Sequence, residues 1–491
     1  MPCCGDGRAY GILCLAFRPD LVQSLAMTST LERLRRLQAL RSQRSQHEAD
    51  ELPTPLPGLP VQGGTAGAGQ LAGLPPGEVI ENSAGQCFVR TQVYPLDANR
   101  GPHPYGALLA QSPVRFAELH PNFGLDPMVD YTRAVFLDTE TTGLGGGAGV
   151  YCFMVGVGTF ERLETGDWRL ETLAPTVPSP QSPVSHFIVR QFFMRHPGEE
   201  GALLLALADL FDRHAMSVTF NGRTFDLPLL RTRFSQNQRI YADLRGCGRL
   251  LAPERPHLDL LHPARRLWRR RLQSCRLIHL EESILGVRRS EEDVPGHLIP
   301  QLYAEYVQNG DAGAMRRVFY HNLEDILSMV ALTTQLSCAF DGGERAPLER
   351  EDWLALGICF EEQARWGEAE GAYRRALELV RDSQSQSDAF ARLGQLLKRQ
   401  GRWPEAAELW ERWLSTVPGL DLRPFVELAK YCEWQLHDYD QALMWTQWAI
   451  HTLNQAPVWQ RPIDALTDLE RRFARLDRKR HTVTSPEHSQ H

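Results

Sequence analysis

Apolar and polar positions change period several times along the chain, and each change predicts a different kind of element. Ser29-Thr30-Leu31-Glu32 has the form of a capping box, and Leu31, Leu34 and Leu37 follow at helical spacing. Six Pro and seven Gly fall within residues 53–77, so residues 1–80 read as a helix and a flexible linker. Cys87, Val89, Thr91 and Val93 then alternate, which predicts a strand inside a small β-rich lead-in over 81–128. The run Ala134-Val135-Phe136-Leu137 predicts a buried strand that ends in Asp138-Thr139-Glu140. A Gly-rich turn (Gly143 to Gly149) leads to a second strand over Tyr151–Phe160, and Arg169–Leu173 alternates as a third. A proline-stiffened loop carries Pro175, Pro178, Pro180 and Pro183. Leu203, Leu204, Leu207 and Leu210 form the apolar stripe of a helix over Glu199–His214, and Met216–Phe220 is a further strand closed by Asn221-Gly222. Strands that come first and then alternate with helices predict an α/β sheet domain over 129–340. Beyond about residue 262 the pattern is almost wholly helical.

A repeat occupies 347–456. Leu356-Gly357 returns as Leu393-Gly394, and Trp366-Gly367-Glu368-Ala369 returns as Trp403-Pro404-Glu405-Ala406 and then as Tyr439-Asp440-Gln441-Ala442. Ala376 has counterparts at Trp413 and Ala449. Small residues at fixed offsets let paired helices approach, while aromatics fill the space between turns. This pattern resembles the tetratricopeptide repeat in three copies, an all-α solenoid whose concave surface would take a protein partner. Residues 457–491 read as a C-terminal helix and tail, with disorder expected after Asp477.

A length of 491 residues suggests about three domains. Hydrophobic residues at 43% and charged residues at 23% exclude a disordered or fibrous chain. The ten cysteines include no CxxC pair, which argues against a disulfide framework or a structural zinc site. The apolar run Ala9–Phe17 is too short for a membrane span and is followed by Arg18-Pro19-Asp20 rather than a cleavage site. Met27 is an alternative start, and the expected location is cytoplasmic with no membrane contact. The net charge of −7 confines any nucleic-acid binding to a local patch. Of the 53 basic residues, 50 are Arg, a skew to which the sequence attaches no function.

Asp138 and Glu140 sit two residues apart on a strand, so their side chains share one side. They lie at the strand's carboxyl end, where open α/β sheets place their sites. Paired acids repel unless a cation lies between them, and oxygen-rich clusters suit Mg²⁺ or Mn²⁺. Read alone, Asp138 is a loop residue and Glu140 a cap. Two further segments alter that balance. Asn221-Gly222-Arg223-Thr224-Phe225-Asp226 links a strand to a helix, and alone it is a turn with Asp226 as an N-cap. His321 and Asp325 lie at i and i+4 on a predicted helix, off its apolar stripe of Phe319, Leu323, Ile326, Leu327 and Val330.

The order Asp-x-Glu, Asn-x-x-x-Phe-Asp, His-x-x-x-Asp resembles the three motifs of the DEDD exonucleases in the ribonuclease H-like superfamily. The chain as a whole resembles the bacterial YprB-type ribonuclease H-like proteins, some of which carry tetratricopeptide repeats. The resemblance covers roughly 130–340 and the repeats. It implies an α/β ribonuclease H-like domain, a mixed sheet with flanking helices, followed by an all-α tetratricopeptide-repeat solenoid. It implies that Asp138, Glu140, Asp226 and Asp325 hold two ions of Mg²⁺ or Mn²⁺, with His321 as general base. The activity implied is 3′→5′ exonucleolytic hydrolysis of single-stranded DNA or RNA. In the family the histidine subclass has four residues between His and Asp and the tyrosine subclass three between Tyr and Asp. Here His321 stands at the tyrosine spacing and Tyr320 at the histidine spacing, so both remain candidates. A catalytically silent nucleic-acid-binding scaffold, recruiting a protein through its repeats, is the alternative.

Gly143-x-Gly145-x-x-Ala148 fits a loose dinucleotide pattern, yet two acids precede it and a strand follows, so a permissive turn and no cofactor are expected. Between Arg255 and Arg276 seven arginines face Asp259 alone. Arg265, Arg266, Arg269, Arg270 and Arg271, together with Asn221, are the expected nucleic-acid contacts, and Trp268 either stacks a base or packs. His257-x-Asp259-x-x-His262 reads as a buried strand entering a helix, with Asp259 as a reserve ligand.

Overall fold

The computed structural model describes residues 73–114, 130–143, 149–162, 184–247, 251–341, 348–379 and 383–484. The predicted helix at Ser29, most of the linker, the third strand at Arg169–Leu173, the proline loop, and Gly145 and Ala148 lie outside the described residues.

Seven strands form one mixed sheet: β1 (Glu78–Asn82), β2 (Gly85–Pro95), β5 (Ala134–Thr141), β6 (Cys152–Glu161), β7 (His186–Phe193), β8 (Met216–Thr219) and β9 (His257–Asp259). The order across it is β1-β2-β7-β6-β5-β8-β9. Pairing is antiparallel from β1 through β5 and parallel from β5 to β8 and β9. The two-residue strands β3 (Asn99–Arg100) and β4 (His103–Pro104) pair separately. The strand read as part of a lead-in, β2, is thus joined to the main sheet along β7, and residues 78–95 extend that sheet's edge. Phe88 and Cys87 are buried there, so the extension carries core as well as backbone pairing.

Alternation along β5 sets the two faces. Val135 and Leu137 enter the core shared with α1 (Glu200–Asp212), α2 (Asp226–Asn237) and α4 (Ile299–Asn309). Ala134 and Phe136 enter the other core, which holds α3 (Leu261–Trp268) and α5 (Met315–Phe340). Helix α5 runs 26 residues across the sheet and is buried on nearly all sides from Asn322 onward. Glycines in β6 permit its approach: a Cβ at Gly156 would lie 2.2 Å from Asn322 Oδ1, and one at Gly158 2.7 Å from Ile326. Neither separation is compatible with a side chain at these positions.

The remaining helices pair in succession: α6 (Arg350–Glu362) with α7 (Trp366–Glu378), α8 (Ser383–Arg399) with α9 (Trp403–Thr416), and α10 (Arg423–Tyr431) with α11 (Tyr439–Gln455). The repeat spacing has a steric basis. A Cβ at Gly357 would meet the Tyr373 ring at 2.5 Å, and one at Gly394 would meet Trp410 at 2.3 Å. Each glycine receives the aromatic from the second helix of its own pair. Helix α12 (Ala465–Thr484) corrects the expectation of disorder after Asp477. Its Leu469 and Leu476 are buried, and Arg475 and Lys479 grip the fully buried Glu433 carboxylate, which holds the segment on the repeats. One apolar core runs without a break from the sheet through α3 and α5 into the first two helix pairs.

Candidate active site

Strand β5 pairs Asp138 with Gly156 and Glu140 with Met154, and the ladder shifts register between Glu140 and Thr141. Asp138 and Glu140 therefore leave the sheet at its carboxyl end on the face that α5 covers. Asn322 of α5, fully buried, donates through Nδ2 to Asp138 Oδ2 at 2.8 Å. Gln191 of β7 holds that amide in place, donating to Asn322 Oδ1 at 3.0 Å and to the Phe319 carbonyl at 2.7 Å. The bare backbone of Gly156 makes room for this chain of contacts.

Asp226 reaches the same place from the β8–α2 turn. Asn221 adopts φ 66°, a left-handed conformation that Asn tolerates. A Cβ at Gly222 would meet Thr219 at 2.6 Å. Asp259, 1% exposed, clamps the turn by accepting from the backbone N–H groups of Asn221 (2.8 Å), Arg223 (3.1 Å) and Leu261 (3.1 Å). Its oxygens are thereby engaged in shaping the turn. Asp226 Oδ1 in turn accepts from Thr139 Oγ1 at 2.5 Å.

His321 and Asp325 share a face of α5, with His321 Nε2 3.8 Å from Asp325 Oδ2. The other ring nitrogen, Nδ1, lies 2.8 Å from Asp293 Oδ1. Arg289, 4% exposed at its side chain, donates to Asp325 and forms a paired contact with Glu281 at 2.7 and 2.6 Å. The Tyr320 hydroxyl is engaged elsewhere, accepting from the Ser290 N–H at 2.9 Å.

The electrostatics follow from crowding. Burial first, then Asp325, Glu140 and Asp226, push the Asp138 carboxyl well above its ordinary range, against the Asn322 hydrogen bond. Burial raises Glu140 to about 8, with Asp325 and Asp226 adding to the rise and His321 and Arg289 opposing it. Burial also raises Asp226 to about 6, with Thr139 opposing. Burial works against a charged His321, but Asp325, the Asp293 hydrogen bond and Glu140 outweigh it and raise the imidazole to about 9. Four carboxylates in mutual repulsion form a hard, anionic oxygen set of the kind divalent cations occupy. Among the described residues, no three His, Cys, Asp or Glu side chains close on one point tightly enough to cage an ion as they stand. Asn322, Thr139 and Arg289 each hold one of the acids. The donor chemistry fits a divalent cation, and Arg289 occupies the Asp325 oxygen such a cation would share.

The expected basic track differs from its sequence reading. Arg266 pairs with Glu362, Arg271 with Asp352 at 2.9 Å, and Arg270 lies 3.7 Å from Asp388, all acids of the repeat helices. Trp268 is 1% exposed and packs in the core, which removes it as a stacking platform. Arg265 and Arg269 remain on the surface without an ion pair among the described residues. Sequence reasoning missed Asn322, Gln191, Arg289, Asp293 and Glu281. Asn322 stands among other polar residues of its helix and Gln191 beside Arg190 in its strand, so neither is set apart, while Arg289 lies in an irregular stretch far from any motif; the Gly156-x-Gly158 pair in a strand is the one hint of a close approach there.

Comparison with known proteins gives three likenesses. Residues 181–337 match the RNase_H superfamily, a span that contains Asp226, His321 and Asp325 and begins after Asp138 and Glu140. Residues 353–387 match the tetratricopeptide repeat. The uncharacterized protein YprB of Bacillus subtilis (strain 168) is 30% identical over 365 residues, which span 73% of this chain and 78% of that protein. Among the described residues no helix is long and apolar enough to cross a membrane.

Proposed function

The chain belongs to the YprB family of RNase H-like proteins, here with a tetratricopeptide repeat, and on that footing we propose that it is a divalent-metal-dependent nuclease. The reaction proposed is 3′→5′ exonucleolytic hydrolysis of single-stranded DNA or RNA. The observation that carries this reading is the convergence of Asp138, Glu140, Asp226 and Asp325 from a strand end, a helix start and a second helix into mutual electrostatic contact. These four would hold two ions of Mg²⁺ or Mn²⁺. When bound, such ions stabilise the attacking and leaving oxygens of a phosphodiester.

The chain's own residues have separate roles. Asn322 fixes the rotamer of Asp138, and Thr139 that of Asp226. His321, oriented by Asp293, is the proposed general base in the neutral form that cations on Asp325 and Glu140 would favour by offsetting the carboxylates that raise it, and is preferred to Tyr320, whose hydroxyl is bound at Ser290. Asn221, Arg265 and Arg269 are proposed strand contacts, and the exposed face of the repeats is proposed to recruit a protein partner. A second reading has its own support. Arg289 on Asp325, beside a charged His321, balances part of the acid cluster with protein cations, as a silent nucleic-acid-binding scaffold would.

End-labelled single strands incubated with Mn²⁺ or Mg²⁺ test these readings, beside the double variant Asp138→Ala/Glu140→Ala. Stepwise shortening by wild type alone supports the exonuclease. Internal cuts that the variant lacks point to an endonuclease. Equal inertness with gel retardation by both proteins supports the scaffold.

A further inference from the structure

Three arginines, Arg223, Arg231 and Arg255, line a cavity at the outer edge of the sheet. The cavity, of about 240 Å³, lies beside β8, β9 and α2 and is lined by Arg223, Arg231, Arg255, His257, Ser217 and Leu251 among others. Arg223 and Arg231 are two turns apart on the segment that carries Asp226 between them. Arg231 donates through Nε to the Leu251 carbonyl, and Arg255 donates to the His214 carbonyl at 3.3 Å. Among the described residues none of the three forms an ion pair, in a chain whose arginines pair widely elsewhere.

Among the described residues no acid lines the cavity. Asp259 is committed to the backbone N–H groups of Asn221 and Arg223 in the neighbouring turn and of Leu261. Glu254 acts on Arg231 without an ion pair, while burial and Arg223 lower the basicity of Arg231. Burial holds His257 neutral, down to about 4, with Asp259 opposing and Arg223, Arg231 and His262 assisting. Guanidiniums present planar, forked donors suited to phosphate oxygens. Three of them line one small cavity, each with donor groups left over, a lining whose chemistry suits an anion.

We propose that this cavity is a phosphate-binding subsite. Its position connects it with the carboxylates: Arg223 precedes Asp226 by three residues, and Ser217 is the second residue of the four-residue strand β8 that leads to that turn. A four-residue strand spans only about 10 Å, so the cavity lies within one short strand of the turn that carries Asp226. That a strand supplies the phosphate rests on the nuclease reading above; a free phosphorylated compound is the other source of the same chemistry.

The test uses the full chain in EDTA, with anisotropy of labelled thymidylate and uridylate decamers and calorimetry with inorganic phosphate. Thermal melts verify that Arg223→Gln and Arg255→Gln fold. Mn²⁺-dependent cleavage of the same decamers is read in parallel. Arg223→Gln is expected to weaken decamer binding about tenfold and to lower the salt slope by about one. Phosphate is expected to compete with the decamer in wild type and not in Arg223→Gln/Arg255→Gln. Unchanged decamer and phosphate binding in both variants overturns the subsite, and wild-type cleavage would then leave the nuclease reading standing. Arginine-dependent phosphate binding without cleavage or decamer binding upholds the subsite, assigns it to a free phosphorylated compound, and counts against the nuclease.

Discussion

The chain concentrates charge in two places, and the fold treats them in opposite ways. On helix α3 and in the turn after it the arginines meet acids brought by the repeats, with Arg271 against the fully buried Asp352 and Arg266 against Glu362. At the end of β5 four carboxylates meet one another, with Arg289 and His321 as partial compensation. The first concentration is an internal joint between the sheet domain and the repeats. The second holds buried acids against one another with only partial counter-charge, which costs stability and marks a place where chemistry is expected. Density of charge along a sequence does not distinguish the two, because the counter-charge lies 81 to 118 residues away in the chain.

The comparison can be broken most forcefully at the joint. Arg271→Ala leaves Asp352 buried without its cation, and a loss of about 3 kcal/mol in a denaturant melt is expected. Arg266→Ala, at an exposed pair, is expected to cost under about 1 kcal/mol, so equal losses would contradict the distinction between the two arginines. At the carboxylates, Gly156→Ala places a Cβ against Asn322 and is expected to cost about 2 kcal/mol while displacing the amide from Asp138. Cleavage that is unaffected by this variant would remove Asn322 from the site.

Acidity sharpens the contrast further. Raised His321 contributes stability that is complete below its ordinary range near 6.5 and is lost as pH rises through about 9. Raised Glu140 acts in the same direction, since its ionisation through about 8 is unfavourable in the folded state. In chelator the melting temperature is therefore expected to fall by roughly 5 °C between pH 6 and 9. Mn²⁺ is expected to flatten that slope, and a flat profile without metal would contradict the crowded-acid account. The smallest effect is expected for Arg265→Ala/Arg269→Ala: a salt slope for strand binding lower by at most about two, with unchanged stability.

Much of this is legible in the sequence because it depends on period and order. The apolar run Ala134–Leu137 and the glycine after Leu356 and Leu393 each reflect local rules that the fold obeys. Where several partners compete for one group, sequence alone is silent. Asp259 could be a ligand or a clamp, and the N–H groups of Asn221, Arg223 and Leu261 that converge on it decide for the clamp. Trp268 could stack or pack, and the shared core that reaches the repeats decides for packing. Arg289 carries no motif, and its place on Asp325 follows from an irregular segment with no periodic signal. The end of α12 escapes the sequence reading because its apolar positions are sparse, while the buried Glu433 that anchors it lies 42 residues upstream of Arg475.

The central claim is that Asp138, Glu140, Asp226 and Asp325 form a divalent-cation site. Calorimetric titration of the full chain with Mn²⁺ addresses it directly, beside Asp138→Asn and Asp226→Asn variants. The account expects about two ions per wild-type chain and loss of at least one in each variant. Absence of Mn²⁺ binding by wild type, or binding that both variants retain in full, would contradict it.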